Sequence, residues 1–96
     1  MENKSLILDV GDDCSFKLAD GRTIKNLKEF SGTLENMDEW VFKHHANNDK
    51  NDFSAWAKNV LKDEKLAGDL LAAKDKSAAQ VAVLKRIIDV INQMTK

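Results

Sequence analysis

Apolar and polar residues first alternate. Cys14, Phe16 and Leu18 are separated by Ser15 and Lys17, the period of a strand with one buried face. Ala19-Asp20-Gly21 interrupts the pattern, and the β-branched pair Thr23-Ile24 follows. A two-residue Asp-Gly loop would set Lys17 opposite Ile24. A three-residue Ala-Asp-Gly loop, with Gly21 left-handed, sets Phe16 opposite Ile24. Only the second keeps the apolar set on one face, so the spacing predicts a three-residue hairpin. Upstream, residues 6–10 read as a short strand, and Gly11-Asp12-Asp13 has turn composition. Residues 1–5 are polar and read as a frayed end.

From Asn26 the period becomes helical. Asn26 with Glu29 three residues on is a capping-box pattern, and Leu27, Phe30, Leu34 and Met37 fall on one helical face. Asn36 with Glu39 repeats the cap, so a second helix is expected there, carrying Met37, Trp40, Val41 and His44 on its inner side. Phe42 falls away from that face. Either the helix is buried on two sides or Phe42 lines a surface groove. After a polar loop, Asn51 or Asp52 caps a third helix with Phe53, Trp56, Ala57, Val60 and Leu61 inward. Asp63 caps a fourth with Leu66, Ala67, Leu70 and Leu71 inward. Ser77 with Gln80 caps the last helix, which runs to Met94.

That last helix has two apolar seams. Val81, Leu84, Ile88 and Ile91 form one, at 3-4-3 spacing; Val83, Ile87, Val90 and Met94 form the other, at 4-3-4 spacing. Lys85, Arg86, Asp89, Asn92 and Gln93 fill the rest of the wheel. The apolar arc is about 180° wide, where a helix lying on a core needs little more than about 100°. One seam therefore packs on the domain, and the other is either covered by further neighbours or left for a partner. Two heptads are too few for a free-standing coiled coil. We expect the second seam, Val83, Ile87, Val90 and Met94, to be the contact surface, with Phe42 as an outside candidate.

The chain has 96 residues, enough for one domain with a thin core. We expect a hairpin region over residues 6–25, a helical core over 26–73 and a C-terminal helix over 77–95, in a mostly α (α+β) fold. The 15 Lys and Arg nearly balance the 16 Asp and Glu, which removes a strongly basic nucleic-acid footprint. The five lysines Lys58, Lys62, Lys65, Lys74 and Lys76 leave a nucleic-acid-associated role as the alternative reading. No apolar run approaches the ~20 residues of a membrane span or the ~7–15 of a signal-peptide core. The single Cys14 precludes an internal disulfide, which fits a cytoplasmic protein, and its place on the apolar side of the strand reads as a buried, inert thiol.

Candidate chemistry is sparse. His44 and His45 are adjacent, and neighbours on a helix point about 100° apart, so both cannot face one metal. We read His44 as packed on the apolar face and His45 as contacting the following loop. A proton- or metal-responsive switch at the pair is the more demanding reading. Asn47, Asp49 and Asn51 have the start of a calcium-loop pattern, but Asp52 stands where glycine is needed and Lys58 where glutamate is needed. No G-x-S-x-G, P-loop or G-x-G-x-x-G pattern occurs. We therefore expect no enzyme and no cofactor.

The order Phe16-x-Leu18-x-Asp20-Gly21, then Asn26-Leu27-x-x-Phe30-x-x-x-Leu34-x-x-Met37, then Phe42-x-x-His45, then Asn51-Asp52-Phe53-x-x-Trp56-x-x-x-Val60, then Asp63-Glu64-x-Leu66-Ala67 resembles a small prokaryotic domain, mainly archaeal, of unknown function. The resemblance covers about residues 16–71 and leaves the last helix outside. It implies a compact single domain and brings no activity, ligand or catalytic residue. It also implies a structural role for His45, hydrogen-bonding the loop that Asn51 and Asp52 close. Together these readings point to a non-catalytic interaction module, binding a protein partner or forming a homodimer through its last helix.

Overall fold

A computed structural model describes residues 9–94, without the side chain of Met94. The strand expected over residues 6–10 lies mostly outside the described residues. Asp9 and Val10 are not in a strand, although the Val10 N–H donates to the Lys25 carbonyl at 2.9 Å. A 3-10 turn, Asp12–Cys14, follows. It corrects the reading of Cys14 as a buried strand residue: Cys14 closes the turn and is exposed. Its N–H donates to the Gly11 carbonyl, and its carbonyl accepts from Trp56 Nε1 at 2.8 Å. A turn secured at both ends in this way delays the strand to Phe16.

Strands β1 (Phe16–Lys17) and β2 (Thr23–Ile24) pair antiparallel, with Phe16 opposite Ile24. This is the register of the three-residue loop. Leu18 and Arg22 close it, and Gly21 takes φ +99°, a conformation open to glycine at little cost.

Five helices follow. In α1 (Leu27–Asn36), Asn26 Oδ1 accepts from the Glu29 N–H at 2.8 Å, as the cap pattern requires. The Glu29 carboxylate answers to the Lys25 N–H rather than to that of Asn26. Helix α2 (Glu39–His45) begins after Asp38, not at Asn36, because α1 runs through Asn36 and Met37 folds beneath its end. That delay turns the helix. Val41, Phe42 and His45 face inward, while Trp40 and His44, expected inside, face solvent. Helix α3 (Asp52–Asn59) is capped by Asn51, the first of its two candidates, and α4 (Glu64–Ala72) starts at the expected cap, Asp63. Leu71, expected inward, is exposed at the end of α4. Helix α5 (Lys76–Met94) lies against α1 and α4.

The core centres on Phe53. Its ring stacks on Phe16 at 4.9 Å and Phe42 at 5.7 Å, and meets Phe30 at 5.4 Å and His45 at 5.5 Å. One α3 side chain thus touches the hairpin, α1 and α2. Every buried side-chain nitrogen or oxygen among the described residues has a hydrogen-bond partner.

Lys62, between α3 and α4, is the only described non-glycine residue with positive φ, at 59°. It lets the Asp63 N–H reach back to the Ala57 carbonyl at 3.0 Å. A left-handed residue with a side chain costs roughly 1–2 kcal/mol, and a glycine there loses part of that gain to unfolded-chain entropy. Lys62→Gly should stabilise the protein by up to about 1 kcal/mol in urea unfolding. A lower midpoint would show that the lysine side chain itself holds this corner.

Candidate interaction surface

Helix α5 starts two residues earlier than the Ser77 pattern suggests. Asp75 Oδ1 accepts from the Ala78 N–H at 2.8 Å, so aspartate, not Ser77, caps the helix. Gln80 is thereby released from capping and donates from Nε2 to the Ser31 carbonyl of α1 at 3.0 Å. Lys76 Nζ donates to the Met37 carbonyl, and Arg86 Nε to Asp63 Oδ2 at the start of α4. These three polar ties, to α1, the α1–α2 link and the α4 cap, fix the rotation of α5 about its axis.

The face so turned inward is built of small residues. Ala79, Ala82, Val83 and Val90 are buried, with Ile87 partly buried beside them. Val81, Leu84, Ile88 and Ile91 point away, exposed at 50%, 43%, 57% and 47%. The seam choice is thus the reverse of the expectation. Val83 and Val90 are fully buried within their own chain, Ile87 sits at the margin, and Met94 closes the helix. Ala79 and Ala82 are core although alanine adds little to an apolar wheel. Arg86 lies in the polar arc of the wheel, yet its side chain is nearly buried against Asp63. The i, i+3, i+4, i+7, i+11 series Ala79, Ala82, Val83, Arg86, Val90 was the available signal.

Phe42 is buried against Phe53, and it also forms part of a groove of about 470 Å³ with Ala46, Leu71 and Ala73. The groove alternative therefore holds, and the helix is buried on one side only, that of Val41, Phe42 and His45. Of the lysines in the nucleic-acid reading, Lys58, Lys62, Lys65 and Lys74 are exposed, and Lys65 pairs with Asp69 at 3.4 Å. Lys76 is spent on Met37.

The histidines do not form a joint site. His44 is exposed. His45 is buried and uses both ring nitrogens: Nε2 accepts from the Ala19 N–H at 3.0 Å, and Nδ1 lies 2.9 Å from Asp52 Oδ2. A backbone N–H can only donate, so this geometry puts the ring proton on Nδ1, where it is donated to Asp52. His45 therefore locks the hairpin loop to the start of α3, and its contact with Asp52 is the one the resemblance implied. Among the described residues no three His, Cys, Asp or Glu side chains gather as a metal site would need. No described helix is long and apolar enough to cross a membrane.

A small domain with a two-stranded hairpin, five helices and one apolar outer helix face is thus the class of object in hand. The chain belongs to DUF5752, a family of unknown function, whose sequence profile matches residues 9–96. The match takes in α5, which the motif resemblance left outside. No match is found among curated proteins or among solved structures.

Burial raises the Asp52 carboxyl pKa, but hydrogen bonds from His45 and Lys50 outweigh it and hold the group below the ordinary carboxylate value. A lowered folded pKa gives stability that is complete above the unfolded value and lost as pH falls through the folded one. Asp52→Asn should therefore flatten the acid limb of the urea-midpoint profile below about pH 4 and leave its slope above about pH 5 unchanged. An acid limb as steep as in the parent protein would contradict the lock.

Proposed function

We propose that this protein is a non-catalytic interaction module that pairs with a second copy of itself through the outer face of α5. The observation that carries the reading is the inversion of size on that helix. Ala79, Ala82, Val83 and Val90 face the core, while Val81, Leu84, Ile88 and Ile91 face water. A monomer gains nothing from that arrangement, since full burial of such side chains is worth about 1.5–3 kcal/mol each. The stripe also has nearly uncharged borders. Of the flanking residues Gln80, Lys85, Ile87 and Asn92 only Lys85 is charged, so two copies approach with little repulsion.

The magnitudes set the strength. Two copies bring eight half-exposed side chains together, each worth on the order of 1 kcal/mol when covered. Association costs roughly 4–15 kcal/mol, so the dimer is weak and depends on concentration. A reducing, cytoplasmic setting fits the single exposed thiol of Cys14.

Sedimentation velocity over a dilution series tests the reading. The parent protein should move from two-chain to one-chain mass on dilution. Leu84→Glu with Ile88→Glu should stay at one chain throughout, with unchanged helicity. The pair Ile87→Asp with Val90→Asp should instead unfold the domain, because Val90 is wholly inside it. A parent protein that stays at one-chain mass up to millimolar concentration, or a Glu variant that still dimerises, would overturn the proposal.

A further inference from the structure

We infer that the two copies run parallel, with the α5 helices side by side about a two-fold axis and each seam residue meeting its own counterpart. The inference rests on the pairing proposed above and adds its geometry.

The seam residues carry the first argument. In heptad terms Val81 and Ile88 occupy a, and Leu84 and Ile91 occupy d. Parallel two-stranded coiled coils favour β-branched residues at a and leucine at d. Val81, Leu84 and Ile88 follow that rule, and only Ile91, near the helix end, departs from it.

The flanks carry the second argument. Gln80 and Ile87 hold the g positions, Lys85 and Asn92 the e positions. A parallel pair sets g against e, so the position of Gln80, whose amide nitrogen stays on Ser31, lies opposite the partner's Lys85, and that of Ile87, at the core margin, opposite the partner's Asn92. No like charges meet. An antiparallel pair sets e against e, and Lys85 then faces the partner's Lys85 at the centre of the seam, which is unfavourable.

Two further points remove the obvious objections. Two heptads fail to associate as free peptides largely because each helix must first nucleate. Here α5 is already folded against α1 and α4. The rest of each chain also lies behind its own α5, since the buried Ala82, Val83 and Val90 are on the side away from the seam. The two bodies therefore sit on the outer flanks and leave the seams free to meet.

Single-cysteine cross-linking tests the direction. With Cys14→Ser as background, Val81→Cys and Ile91→Cys are each oxidised alone and as an equimolar mixture, beside sedimentation of the same samples. In a parallel pair each residue lies against its counterpart, within the about 7 Å between Cα atoms that a disulfide allows. In an antiparallel pair Val81 opposes the partner's Ile91, and like positions sit about 15 Å apart along the axis. The expected result is a covalent dimer from each variant alone and no 81–91 product from the mixture. Covalent dimer from the mixture only would establish the antiparallel pair and overturn the inference while leaving the pairing itself intact. Two-chain mass with no cross-link in any sample would place the contact elsewhere and overturn both. One-chain mass for the parent protein at every concentration would also overturn both.

Discussion

The ring of Phe53 is the contact on which the rest of the structure depends. It is presented by α3 and reaches β1 through Phe16, α1 through Phe30, and α2 through Phe42 and His45. Truncating a buried phenylalanine costs about 3–5 kcal/mol, a large share of the roughly 5–15 kcal/mol that holds a small domain together. Trp56, one turn further on, meets Phe16 and Phe30 edge-on and ties its indole nitrogen to the Cys14 carbonyl. The hairpin is too short to be stable alone. It persists because these rings and the His45 acceptor hold its loop and its first strand.

Spending every core aromatic on the first 56 residues leaves a particular task for the end of the chain. Helix α5 has only to close the side of a filled core. It does so with Ala79, Ala82, Val83 and Val90, residues small enough for helices to approach closely, and with the polar ties of Lys76, Gln80 and Arg86. The Arg86–Asp63 pair is almost wholly buried, and breaking such a pair is far more costly than never having built it. It therefore specifies the rotation of α5 more than it adds to stability. Once that rotation is fixed, Leu84, Ile88 and Ile91 have no place inside. The outer stripe follows from the way the core is filled.

Much of this was legible in the sequence wherever one side chain makes one local bond. Asn26 and Asp63 were legible as caps, and Asn51 as one of two candidates, because a cap acts on a backbone N–H three residues away. The hairpin register followed from the side of the strand on which Phe16 and Ile24 must lie. Errors came where distant parts of the chain decide. Phase in α2 depended on α1 running through Asn36. Cys14 depended on an indole 42 residues away in sequence. The inner face of α5 depended on Asp63 taking Arg86 out of the polar arc and on alanines that no hydrophobic count weights strongly. Both seams of α5 are visible in the sequence; only tertiary partners decide which one is buried.

The account is tested most directly at the methyl groups of α5. Methyl-labelled NMR spectra over a dilution series would follow the inner and outer seams at once. The account predicts that Leu84, Ile88 and Ile91 shift with protein concentration along a single binding curve, while Val83 and Val90 stay fixed. Outer-seam methyls that keep their positions from micromolar to millimolar protein would contradict it.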